Sequence, residues 1–74
     1  MLKGRREGVL HRLQPISIHG QLSYDVHYTF ADEPDSQAMV ARVGIEALAP
    51  GLQTGDRIQL DFLVGVVTAV SRAE

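Results

Sequence analysis

The sequence predicts an all-β domain, a small five-stranded β-barrel with at most one short helical turn. Three observations carry this. Residues 22–30, LSYDVHYTF, alternate apolar and polar in strict period two, the pattern of a half-buried strand. Four further segments have strand character, and glycine, proline or acidic residues punctuate the intervals between them. No stretch offers a real helix to cover a flat sheet. The apolar faces of five short strands must then be buried by curling the sheet on itself, which also removes exposed edges.

The first strand is GVLHRLQPISI, residues 8–18, long and bent. Its alternation changes phase near Gln14-Pro15, and proline cannot donate a ladder hydrogen bond, so a bulge is expected there. His19-Gly20 makes the next turn, with Gly20 supplying a positive φ. In the second strand Leu22, Tyr24, Val26, Tyr28 and Phe30 share the buried face, and Ser23, Asp25, His27 and Thr29 the other. Residues 31–36, ADEPDS, form an acidic loop broken by Pro34. Residues 37–45 read as strand three, with Met39, Ala41, Val43 and Ile45 in phase. Residues 45–51 hold one helical turn, ended by Pro50-Gly51. Thr54-Gly55-Asp56 turns the chain into strand four, RIQLDFLV, where Ile58, Leu60, Phe62 and Val64 share a face. Gly65 inside the run predicts a bulge or sharp bend, and residues 66–71, VVTAVS, are strand five. Residues 1–4 and 72–74 are expected to fray.

This order of elements resembles the small oligonucleotide/oligosaccharide-binding (OB) fold. The resemblance rests on Gly8–Ile18, Leu22–Phe30, Gln37–Ile45, the Ala47–Gly51 connection and the Thr54-Gly55-Asp56-Arg57-Ile58 turn, and so covers nearly the whole chain. It is a likeness of element order, with no family-specific motif. A Gly-Asp turn before a strand also occurs in SH3-like barrels, which are the alternative. The OB resemblance brings nucleic-acid binding forward first, although fold does not fix function.

Composition narrows the classes. The 74 residues form one domain, 1–74, with a thin core. There is no cysteine, which excludes disulfides and thiolate metal sites. A net charge of −2 lacks the strongly basic footprint of a typical nucleic-acid binder. The longest apolar stretch, LVGVVTAV, is too short to span a bilayer, and the start, MLKGRREGVL, has charge with no apolar stretch behind it. The expectation is a cytoplasmic protein with no membrane association.

Candidate sites follow from residue type and placement. Tyr24, Tyr28, Phe30 and Phe62 lie in phase with apolar neighbours, so they read as core rather than as a base-stacking platform. Lys3, Arg5, Arg6 and Arg12 cluster near the start while Asp32, Glu33 and Asp35 cluster in the second loop. The basic end so formed is a candidate phosphate or nucleic-acid contact, set against a plain solvated terminus. His11 and His27 reach similar heights on the first hairpin, near Asp25. That set is a zinc candidate only if His11 shares their face, and scattered surface histidines are the simpler reading. No nucleophile elbow, carboxylate pair of known spacing or phosphate-cradling glycine run is present. Leu63 breaks the strand-four pattern outward. With Val66, Val67 and Val70 it gives the last hairpin apolar side chains on both faces, a candidate protein interface.

The function expected from sequence is a non-enzymatic binding module with no cofactor and no metal. It would join a protein partner, or itself as a homo-oligomer, through strand edges and the Leu63, Val66, Val67 and Val70 region. The alternative is single-stranded nucleic-acid binding through Lys3, Arg5, Arg6 and Arg12.

Overall fold

A computed structural model describes residues 3–73. Five strands form one antiparallel sheet: β1 (Lys3–Ile18), β2 (Gln21–Phe30), β3 (Met39–Gly44), β4 (Arg57–Leu63) and β5 (Val66–Arg72). A 3-10 turn, Ile45–Ala47, follows β3. Among the described residues no helix is long and apolar enough to cross a membrane. Met1, Leu2 and Glu74, expected to fray, lie outside the described residues; Lys3, Gly4 and Arg72 are strand residues.

The spatial order is β3-β2-β1-β4-β5. β1 is the hub because it is long enough to serve two partners. Its first half, Lys3 to Val9, pairs with β4, and its second half, Gly8 to Ile18, pairs with β2. The two ladders overlap only at Gly8 and Val9. The sheet is not closed: no ladder joins the outer edges of β3 and β5 among the described residues. These edges face each other, and Leu48 bridges to Val70 at one end, where the Ala49 N–H donates to the Val70 carbonyl at 2.9 Å.

The core follows the period-two pattern. Leu10, Val26, Tyr28, Val43, Leu52, Ile58, Leu60, Val67 and Val70 are buried in one cluster. Tyr28 is the buried aromatic; Tyr24, Phe30 and Phe62 are half-buried. Leu22, expected on the buried face, is exposed because it lies beside the β1–β2 turn, beyond the end of the β2–β3 ladder. The polar face of β2 is less wet than its pattern predicts. Thr29 is buried, and the His11 ring covers it, with Nε2 2.9 Å from the Thr29 Oγ1.

Four details depart from the sequence expectation. The bulge lies at His11, where the β1–β2 register shifts between Leu10 and Arg12, and Pro15 pairs with Tyr24 in unbroken register. The cause is the turn before β4: the Leu10 N–H donates to the Asp56 carbonyl and the Gly55 N–H to the Leu10 carbonyl. This clamp holds Leu10 while β1 leaves β4 behind. Beyond it β1 has only β2 as a ladder neighbour, so Pro15 sits on an edge, where a missing N–H is tolerated. Second, β1 begins at Lys3 rather than Gly8. Third, β3 is shorter than residues 37–45, with Met39 and Ile45 exposed. Fourth, Gly65 is not a bend within a strand. Val64 and Gly65 are the two-residue turn between β4 and β5, with φ of 51° and 77°.

Positive φ at both central positions is the type I′ geometry of tight hairpins. His19 and Gly20, with φ of 52° and 79°, repeat it between β1 and β2. For the β-branched Val64 that backbone is strained, and its exposed side chain gains little burial in return. Val64→Asn, which creates the preferred Asn-Gly pair, is expected to stabilise the domain by about 1 kcal/mol. Urea unfolding would show it as a raised midpoint at constant m, and a lowered midpoint would refute the turn assignment.

Candidate interaction surface

Period-two geometry sorts the last hairpin into two faces. Val67 and Val70 are 8% and 1% exposed. They face the core opposite Phe62 and Leu60, so neither presents its side chain on the outer face, although Val67 also lines the slot between β3 and β5. Leu63 and Val66 are cross-strand partners on the outer face, 43% and 64% exposed. The β3 edge adds Val40, 55% exposed, and the turn adds Val64. Val40 and Val66 flank one slot between β3 and β5, together with Tyr28, Phe62 and the Arg42 side chain. The outcome is an exposed apolar strip that crosses from β3 to β4 over the unjoined edges. Sequence reading missed Val40, because the in-phase set of strand three drew attention to Met39 and Ala41. It also placed Val64 in a strand.

The basic residues separate into two groups. Lys3, Arg5 and Arg6 sit together at the start of β1, opposite Leu63, Asp61 and Leu60 of β4. Arg12 lies beyond the bulge, opposite His27, about 20 Å along the strand from Arg6 at ~3.3 Å per residue. Nor does the acidic loop stand apart from the basic strand. Arg6 donates to Asp32 at 3.1 Å and Arg5 to Asp61 at 3.1 Å. Arg57 pairs with Glu7, Arg72 with Asp56 at 3.0 Å and Arg42 with Asp25 at 2.9 Å. Such exposed pairs add little stability each, and they place a carboxylate beside both Arg5 and Arg6, leaving Lys3 without one among the described residues.

Arg42 grips both oxygens of Asp25 and holds that carboxyl below its usual pKa. The pair's contribution is therefore present above the ordinary aspartate pKa. It is lost as acid carries the pH down through the lowered one. Burial pushes the Tyr28 phenol upward.

Arg6 also lies flat against an aromatic ring: its guanidinium carbon is 3.5 Å from the Phe30 ring centre, a cation–π contact. Phe30 touches Tyr28 edge-on at 5.6 Å and Phe62 at 6.1 Å between ring centres. Phe30, Phe62, Gly65 and residues Lys3 to Arg6 line an open cleft of about 340 Å³ at this end of the sheet. Gly4 contributes no side chain to it, and a Cβ there would meet nothing within 4 Å.

The histidines do not assemble a metal site. The bulge sets Arg12, not His11, opposite His27, and the Nε2 of His11 is engaged by Thr29. Among the described residues no group of three histidine, aspartate or glutamate side chains could hold a metal ion. The Nε2 of His27 is buried without a hydrogen-bond partner.

No protein-family model, curated protein or solved structure matches the chain.

Proposed function

We propose that the chain is a non-enzymatic, OB-like binding module for protein interaction or self-association through its sheet edges. The observation that carries the reading is the apolar strip Leu63–Val66–Val40 lying over two edges that no ladder joins among the described residues. Unpaired edges readily take up a further chain, and exposed apolar residues beside them supply burial energy that salt does not screen. The OB-like element of the reading rests on β1 serving both β2 and β4, with β3 and β5 left as facing edges. A cytoplasmic site of action belongs to the same proposal.

Single-stranded nucleic acid is the second reading, favoured by the half-buried Phe30 and Phe62 beside Lys3, Arg5 and Arg6. Against it stand the net charge of −2 and the carboxylates already paired with Arg5 and Arg6. Light scattering separates the two readings. The protein is expected to exceed the mass of a single chain, alone or with a partner, at low and high salt alike. Val66→Asp is expected to return it to a single chain while leaving the core intact. A single chain that gains mass only with a mixed oligonucleotide at low salt would replace the first reading by the second.

A further inference from the structure

Backbone direction at the start of β1 leaves an edge free. In an antiparallel ladder the N–H and C=O of one residue point to the same side, and successive residues alternate. Leu10 points its N–H and C=O toward the turn before β4, while the Glu7 carbonyl accepts the Ala31 N–H on the opposite side. Counting back in twos from Glu7, Arg5 and Lys3 turn their N–H and C=O away from β4. On that side β2 ends at Phe30, opposite Gly8, and the chain departs into the acidic loop. Among the described residues nothing pairs with the β1 edge from Lys3 to Arg6, and all four residues are exposed. The same stretch walls the Phe30–Phe62 cleft.

We infer that this edge takes an extended acidic peptide of another protein as an added strand, continuing the line of β2. The inference rests on the interaction-module reading and names its partner chemistry. Alternation assigns the side chains of the guest. Those on the inner face enter the cleft beside Phe30, Phe62 and the Arg6 guanidinium, so they are apolar or aromatic. Those on the outer face lie along Lys3, which no described carboxylate pairs, and Arg5, whose guanidinium a guest carboxylate would share with Asp61. They are therefore carboxylates, paired across the ladder mainly with Lys3. A period-two acidic–apolar segment satisfies both. The unpaired amides and carbonyls match a peptide backbone, which offers donor and acceptor at the repeat of a strand. A deoxyribose-phosphate chain has no donors for the carbonyls of Lys3 and Arg5, and a ribose-phosphate chain offers only its 2′-hydroxyls. A second copy fits less well: its own acidic stretch, residues 31–36, carries Pro34, and its Asp32 is already held by Arg6.

The test is fluorescence anisotropy with an end-blocked, labelled peptide alternating glutamate with phenylalanine or valine. Arg5→Pro deletes the outward N–H and costs no β4 hydrogen bond, since Arg5 points away from β4. Arg5→Ala keeps the N–H and loses the charge. Gly4→Leu fills the cleft from a position with open space. The peptide is expected to saturate the wild-type protein. Arg5→Pro and Gly4→Leu each weaken it about tenfold or more, because backbone hydrogen bonds or the cleft contact are lost. Arg5→Ala weakens it about two- to threefold, and lysine in place of glutamate weakens it further than that. Circular dichroism confirms that each variant is folded; if Arg5→Pro is not, Gly4→Leu decides. Unchanged affinity in the folded variants overturns the inference. Displacement of the peptide by a tighter-binding oligonucleotide overturns it in favour of nucleic acid. Loss of peptide binding in Val66→Asp, with Arg5→Pro unaffected, overturns it while keeping the interaction module, because the site is then the apolar strip. Absence of peptide binding together with a salt-independent mass of one chain removes both.

Discussion

Gly8→Val is expected to destabilise the domain by about 3 kcal/mol or more, the upper range for forcing atoms into a packed site. A Cβ built at Gly8 stands 2.8 Å from the Thr29 carbonyl oxygen and 3.0 Å from the Leu60 Cδ1. The first contact is the severe one, because that oxygen belongs to the neighbouring strand and cannot move without parting β1 from β2. Gly8 is also where the two ladders of β1 overlap, facing Phe30 on one side and Ile58 on the other. A shift there is transmitted to both halves of the sheet. A domain of this length has about 4–11 kcal/mol of total stability at ~0.05–0.15 kcal/mol per residue, so the variant would lose roughly a quarter to three quarters of it. Gly8→Ala should show the same defect in milder form, read as a lowered urea midpoint. Wild-type stability in Gly8→Ala would mean that β1 and β2 stand further apart than described.

Leu60→Ala is expected to cost about 2–5 kcal/mol, the range for truncating a fully buried aliphatic side chain. Leu60 has no exposed surface, pairs with Val70 and lies over Gly8. A thin core has few neighbours able to collapse into the space left behind. Leu63→Ala, three residues later on the exposed face, is the control and should stay within about 0.5 kcal/mol. The two leucines share one strand, so thermal unfolding of the pair isolates burial from strand propensity. Similar losses at both positions would contradict the division of β4 into a core face and a strip face.

The fold was legible in the sequence wherever period two was uninterrupted. LSYDVHYTF became β2, RIQLDFL became β4, and the Thr54-Gly55-Asp56 turn and the single helical turn stand where their residues predict. What failed was the placing of irregularities. Pro15 announces a break by its chemistry, yet it lies on a stretch of edge that forgives it, whereas the bulge at His11 is imposed by a turn more than forty residues away. No local pattern encodes that clamp. Val64 was misread for a related reason: as a β-branched residue it prolongs the strand pattern, and only the closing of the hairpin forces it into a positive φ. The candidate surface was half legible. Leu63 broke the pattern outward, as it does in the structure, and Val66 was named beside it without a face. Val67 and Val70 did not separate from them, because the extra residue of β5 between Asp61 and Phe62 of β4 shifts the register by one. The free edge of β1 depends on where β2 stops, which is a property of pairing and not of composition.

The division of β1 between two partners also orders the assembly of the molecule in time. The β1–β2 and β4–β5 hairpins close through two-residue turns and form within microseconds. The ladder that unites them pairs Lys3 with Leu63 and Val9 with Arg57, across nearly the whole contour of the chain. Closing so long a loop costs entropy before any contact repays it. Docking of one finished hairpin on the other therefore limits the rate, on the millisecond-to-second scale typical of such non-local sheets. In stopped-flow refolding, Val64→Asn should then raise the folding rate and leave unfolding almost unchanged, since its turn is already made at the barrier. An effect confined to unfolding would mean that the long ladder forms first and the last hairpin is laid onto it.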